Sequence, residues 1–89
     1  MRNQKNPTEI FLDSTLNFVL SELEISETFA DIALNSDAGE KISRNRQNAR
    51  KGYETALRCM AAIPADDRHK LYEKLDSLKS KLVELGEDV

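Results

Sequence analysis

NSDAGEKISRNRQNARKGYETALRCMAAIP, residues 35–64, decides the fold of this 89-residue chain. It contains the two places where helical periodicity stops. Asn35-Ser36-Asp37-Ala38-Gly39 is a run of turn formers, and Asp37 with Glu40 three residues later makes a helix-start pattern. At the other end Pro64 drives Ile63 out of the α region, so a helix beginning near residue 38 ends near 62. Between the breaks, Ile42, Ala49, Tyr53, Ala56, Met60 and Ile63 fall on one helical stripe.

Working outward, Asn6-Pro7-Thr8-Glu9 reads as the start of a first helix: Asn6 caps it, Pro7 suits its first position and Glu9 completes a capping box. Beyond Pro64, Asp66 is placed to cap a third helix and Asp67 to favour its positive end. Leu71, Leu75, Leu78, Leu82 and Leu85 give that helix its apolar stripe. Gly86 stops it, with Lys79 and Lys81 near the negative end. Helices are expected over about 7–34, 38–62 and 66–85, with frayed tails at 1–6 and 86–89. No strand-like alternation competes, and the connections are too short for parallel neighbours. The expectation is one all-α domain over residues 1–89, an antiparallel up-down-up three-helix bundle.

Eighty-nine residues hold one modest core, burying roughly 60–65% of the unfolded surface, which leaves little room for an enclosed active site. Cys59 and His69 are single, no Glu-x-x-His pair exists, and Gly39 and Gly52 are isolated. Nucleophilic, metal and phosphate-loop chemistry therefore lack their usual residues. The expectation is no enzyme and no cofactor. One cysteine cannot close an intramolecular disulfide, and MRNQKNPTE has no apolar run of the signal-peptide kind. A cytoplasmic protein without membrane contact follows.

KISRNRQNARKGY, residues 41–53, carries five cations and no carboxylate in a chain of net charge −3. Charge alternates by segment: −4 over residues 1–35, +3 over 36–63 and −2 over 64–89. In a hairpin of the first two helices, Glu24, Glu27 and Asp31 would come near Lys51 and Arg44, matching charge within the chain. Arg44, Lys51 and Arg58 recur every seven residues on the outer side, as a candidate anion-binding row. Arg46 and Arg50 lie on the opposite flank of the apolar stripe. Splitting the cations in this way favours internal matching over a nucleic-acid surface, which would gather them. Asn45 and Arg46, with Ser26 and Glu84, are expected to form a polar seam in which Arg46 pairs with a carboxylate of the first helix or with Glu84.

The first helix carries two apolar stripes. Leu12, Leu16, Val19, Leu23 and Ala30 form one; Phe11, Phe18, Ile25, Phe29 and Ile32 form the other, roughly 100–140° away. Small or polar Thr15, Glu22, Ser26 and Ala33 lie between them. Two readings stand open. Either the other helices cover both stripes, or the phenylalanine stripe meets another chain.

Gly52-Tyr53-Glu54-Thr55-Ala56-Leu57 resembles the G-x-Y-x-x-A-L register of tetratricopeptide helices, in a single copy and one residue short near Gly52. The whole chain is more similar to the microtubule-interacting-and-transport (MIT) domain, whose second helix carries Y-x-x-A-L and whose third often ends like Leu75-Asp76-Ser77-Leu78-Lys79. That resemblance spans residues 10–85 and implies a three-helix bundle that binds helical tails of partners in a groove between helices. The Arg- and Asn-rich start of the second helix departs from it. Residues 44–53 also look like a segment of short, uncharacterised bacterial proteins, which implies no function.

The expected role is non-catalytic. A protein-interaction or self-association module would use Phe11, Phe18, Ile25, Phe29 and Ile32 to meet a second copy or a partner helix. The alternative is a nucleic-acid accessory protein using Arg44, Lys51 and Arg58.

Overall fold

A computed structural model describes residues 7–89, with side chains described at Pro7 and from Ser14 onward. The described residues form three α-helices: α1 (Pro7–Leu34), α2 (Gly39–Cys59) and α3 (Ala65–Glu84), with a short 3₁₀ helix at Met60–Ala62 between the last two. Among the described residues there is no strand. The expected cap Asn6 lies outside the described residues, and Phe11 and Leu12 lie outside the described side chains.

Two caps differ from expectation. Asp37 does not start α2. Ala38 is its N-cap, with φ −89° and ψ 119°, and the Ala38 carbonyl accepts the Ile42 N–H at 2.9 Å. Asp66 does not cap α3 either. Pro64 does so, at φ −57° and ψ 147°, its carbonyl accepting from Asp67 and Arg68 at 2.9 and 3.2 Å. Extended backbone is what an N-cap requires, and proline's fixed φ is compatible with it. Asp66 and Asp67 then sit in the first turn, beside the positive end of the helix dipole.

The corner at Pro64 is held by a side chain the sequence did not single out. Arg68 Nε donates to the carbonyls of Ile63 at 2.9 Å and Met60 at 3.2 Å, tying the first turn of α3 to the 3₁₀ helix before it. At the far end Gly86, with φ 92°, terminates α3. Its N–H donates to the Val83 carbonyl, and the Glu87 N–H to the Leu82 carbonyl, both at 2.9 Å. This is the Schellman arrangement, and it needs the left-handed conformation that glycine adopts without a Cβ penalty. Residues 86–89, expected as a frayed tail, therefore hold Glu87 in place and leave Val89 half-buried against the core.

Packing follows side-chain size. Among the described side chains, Val19, Leu23, Ser26, Ala30 and Ala33 of α1 are buried, as are Asn45, Ala49, Gly52, Tyr53 and Ala56 of α2. The α1 series and Asn45, Ala49, Gly52 and Ala56 of α2 both advance by steps of four and three, with Tyr53 beside Gly52, so each forms a seam along its helix. Small residues dominate where the two seams meet, and the backbones approach closely. Leu71, Leu75, Leu78 and Leu82 of α3, joined by Ile63, fill the remaining volume. Buried Asn45 donates from Nδ2 to the Lys41 carbonyl at 2.8 Å, so its amide does not sit unpaired in the core.

Candidate interaction surface

The two stripes of α1 have different surroundings. Val19, Leu23 and Ala30 of the first are buried, and Leu16 packs half-buried against them. In the second, Phe18 is 49%, Ile25 50% and Ile32 36% exposed, while Phe29 is half-buried against the core. Phe11 lies outside the described side chains. The sector between the stripes, at Ser26 and Ala33, is buried. Its short side chains admit α2 there, and α2 then covers the first stripe and leaves the second uncovered.

A shallow cleft of about 360 Å³ opens at one end of this face. Ser14, Thr15 and Phe18 of α1 line it with Cys59 and Ala62 from the end of α2. Cys59 is a free, half-buried thiol.

Charge pairing departs from the expected match of α1 with α2. Glu24, Glu27 and Asp31 of α1 pair with α3. Lys81 Nζ stands 2.7 Å from both Glu27 Oε2 and Asp31 Oδ1, and Lys74 Nζ stands 3.2 Å from Glu24 Oε2. Ser77 Oγ donates to Glu27 Oε2 at 2.8 Å. Hydrogen bonds from Lys81 and then Ser77 hold the Glu27 carboxyl below its ordinary range, and those from Lys81 to Asp31 and Glu27 raise the Lys81 ammonium. The signal lay in the spacing. Glu24-Glu27-Asp31 and Lys74-Ser77-Lys81 share the same steps at a constant offset of 50 residues.

The residues expected as a polar seam are not gathered at one level. Buried Ser26 packs on Gly52, buried Asn45 bonds to its own helix at the Lys41 carbonyl, and Glu84 is exposed. Arg46 meets Glu87 instead. Its buried Nε lies 3.0 Å from Glu87 Oε2, a charge contact out of line for a hydrogen bond, and its Nη1 donates to the Leu85 carbonyl at 3.4 Å. Arg50 Nη1 donates to Glu87 Oε1 at 3.0 Å, which with Glu54 raises the Arg50 guanidinium. Glu84 lies on the last turn of α3 and faces solvent. The turn at Gly86 reverses the chain and brings the next carboxylate, Glu87, back over α2.

The three cations expected as an anion-binding row are left over. Among the described residues, exposed Arg44 and Lys51 have no ion pair, and exposed Arg58 has only the Thr55 hydroxyl, at 3.4 Å. With Asn48, Thr55 and Ala62 they advance by alternating steps of four and three, so they form one continuous row. Ala62, at the end of that row, lines the cleft with Phe18.

No helix among the described residues is long and apolar enough to cross a membrane, and no group of three or more His, Cys, Asp or Glu among them is placed to hold a metal ion. Comparison of the chain with models of protein families, with curated proteins and with solved structures finds no match.

Proposed function

We propose that this is a non-catalytic, cytoplasmic protein-interaction module whose docking face is the outer side of α1. The observation that carries the reading is the exposure of Phe18, Ile25 and Ile32 at seven-residue spacing on a helix whose other apolar stripe is already buried. Large apolar side chains so aligned are anchors of the helix-in-groove kind, and a contiguous exposed stripe is a liability unless another molecule covers it. The likeness of residues 53–57 and 75–79 to MIT domains, which bind partner tails, points the same way.

The arrangement of the helices belongs to this reading. An up-down-up course is supported by the contacts that join them. Lys74, Ser77 and Lys81 meet Glu24, Glu27 and Asp31 in the same order, whereas Gly52 packs on Ser26 and Cys59 shares the cleft with Thr15 and Phe18. On that course α3 occupies one side of the α1–α2 pair, and the phenylalanine stripe occupies the other.

Phe18→Glu tests the reading. The expected result is unchanged helicity and a stability change within about 0.5 kcal/mol, the range of ordinary surface substitutions. Unfolding of the variant would place Phe18 in the core and remove the docking face. The nucleic-acid reading stands second, on the observation that Arg44, Lys51 and Arg58 lack carboxylate partners among the described residues. It predicts binding that falls steeply between two salt concentrations in a mobility-shift titration.

A further inference from the structure

The exposed anchors of α1 and three of the unpaired cations of α2 share one spacing. Phe18, Ile25 and Ile32 are seven apart, and so are Arg58, Lys51 and Arg44. The packing of Gly52 on Ser26 and the cleft that Ala62 shares with Ser14, on an antiparallel pair, put Arg58 level with Phe18, Lys51 with Ile25 and Arg44 with Ile32. Each rung carries one apolar anchor and one cation, and rungs repeat about every 10 Å along the pair. The other flank of the stripe is uncharged. It is formed by Ser14, Ser21, Thr28 and Asn35, of which Thr28 and Asn35 bond back to their own helix at the Glu24 and Asp31 carbonyls.

We propose that the occupant of this groove is an amphipathic helix of another protein with carboxylates along one flank only. Its apolar side rests on Phe18, Ile25 and Ile32, and its carboxylates, seven residues apart, lie over Arg58, Lys51 and Arg44. The inference rests on the reading of the α1 stripe as a docking face. Charge complementarity selects this occupant over a second copy of the chain. Packed parallel on its twin, the stripe would set the cation row against the uncharged flank; packed antiparallel, it would set cations against cations. Apart from Glu22, which lies in the groove itself, neither arrangement supplies a carboxylate. Glu22, half-buried between the Phe18 and Ile25 levels, calls for a hydrogen-bond donor from the partner at that one point.

The test uses the full chain and two synthetic 21-residue helices. Both carry leucine at the anchor spacing and glutamine on one flank; the other flank is glutamate in one and lysine in its twin. Fluorescence anisotropy should show the glutamate peptide binding at least about tenfold more tightly at low salt, with the margin shrinking as salt rises. Ile25→Asp should abolish binding of both. The double change Lys51→Glu and Arg58→Glu, at two exposed positions, should reverse the preference. Equal binding of the two peptides, lost in Ile25→Asp, would overturn the acidic partner and leave the docking face standing. A salt-resistant dimer dissociated by Ile25→Asp would likewise retain the face and overturn the choice of a foreign helix. Binding of neither peptide overturns the proposal. So does tight binding of a 20-base-pair DNA duplex that the double change removes and Ile25→Asp does not.

Discussion

A Cβ on Gly52 would overlap Ser26 Oγ and stand 2.8 Å from Ser26 Cβ. The Ser26 side chain therefore fills the space that a side chain on residue 52 would need, and Gly52 is required by space alone. Gly52→Ala should destabilise the chain by about 1–3 kcal/mol, the usual range for overpacking. Rotating the serine hydroxyl does not relieve it, because the serine Cβ is also too near. Combining Gly52→Ala with Ser26→Gly should recover part of the loss. Chemical denaturation of the two single variants and the double variant measures the coupling, and additive losses would place the clash elsewhere.

Lys81 joins two carboxylates of α1 from α3. Removing its charge by Lys81→Met should lower stability by about 0.5–1 kcal/mol at low ionic strength, with the difference narrowing in high salt. A double-mutant cycle with Glu27→Gln isolates the pair. A loss that salt leaves unchanged would mean that the lysine stem, and not its charge, makes the contribution.

The same pair sets a pH dependence. Glu27 has a folded-state pKa below its ordinary 4.5, so its stabilisation is complete above that value and is lost as pH falls through the folded pKa. Lys81 is raised above its ordinary 10.5, so its contribution is complete below that value and disappears as pH rises through the folded pKa. Glu27→Gln should flatten the acid limb of a stability–pH curve below pH 4.5, and a limb of unchanged slope would remove Glu27 from the account.

Gly86 and Glu87 form a clasp at the far end. Gly86→Ala introduces no contact within 4 Å, so its expected cost of about 1 kcal/mol comes from the left-handed backbone alone. Glu87→Gln should lower the melting temperature by weakening the approach of Arg46 and Arg50. Arg46→Met should then lower it less when combined with Glu87→Gln than in the wild type. Equal effects in the two backgrounds would separate Arg46 from Glu87.

Much of the fold is legible in the chain because its punctuation is local. Pro7, the 35–39 turn, Pro64 and Gly86 act on their own dihedral angles, and the leucine spacing of α3 marks its buried side. The caps were less legible. Asp37 and Asp66 have the right side chains, but Ala38 and Pro64 have the right backbone. In both cases the helix begins where φ and ψ change, without a side-chain bond.

The candidate surface was legible as a list and not as a surface. Two stripes on α1 can be read from spacing, but which one is exposed depends on where α2 lies. Gly52 draws α2 onto Ser26, a preference of matched small volumes that neither helix expresses alone. Charge pairing shows the same dependence. Glu24, Glu27 and Asp31 had two sets of cations available, and sequence proximity favoured those of α2. Distance in the folded chain favours Lys74 and Lys81, which leaves Arg44, Lys51 and Arg58 unmatched among the described residues.

By itself, then, the sequence determined three helices, their ends to within a few residues and their apolar sides, because these follow from dihedral preferences and from 3.6-residue periodicity. Only the tertiary structure decided which apolar stripe is exposed, which cations lack partners and that the residues after Gly86 fold back onto α2. Those outcomes depend on how closely particular pairs of helices approach, and closeness is set by the side chains of both partners at once.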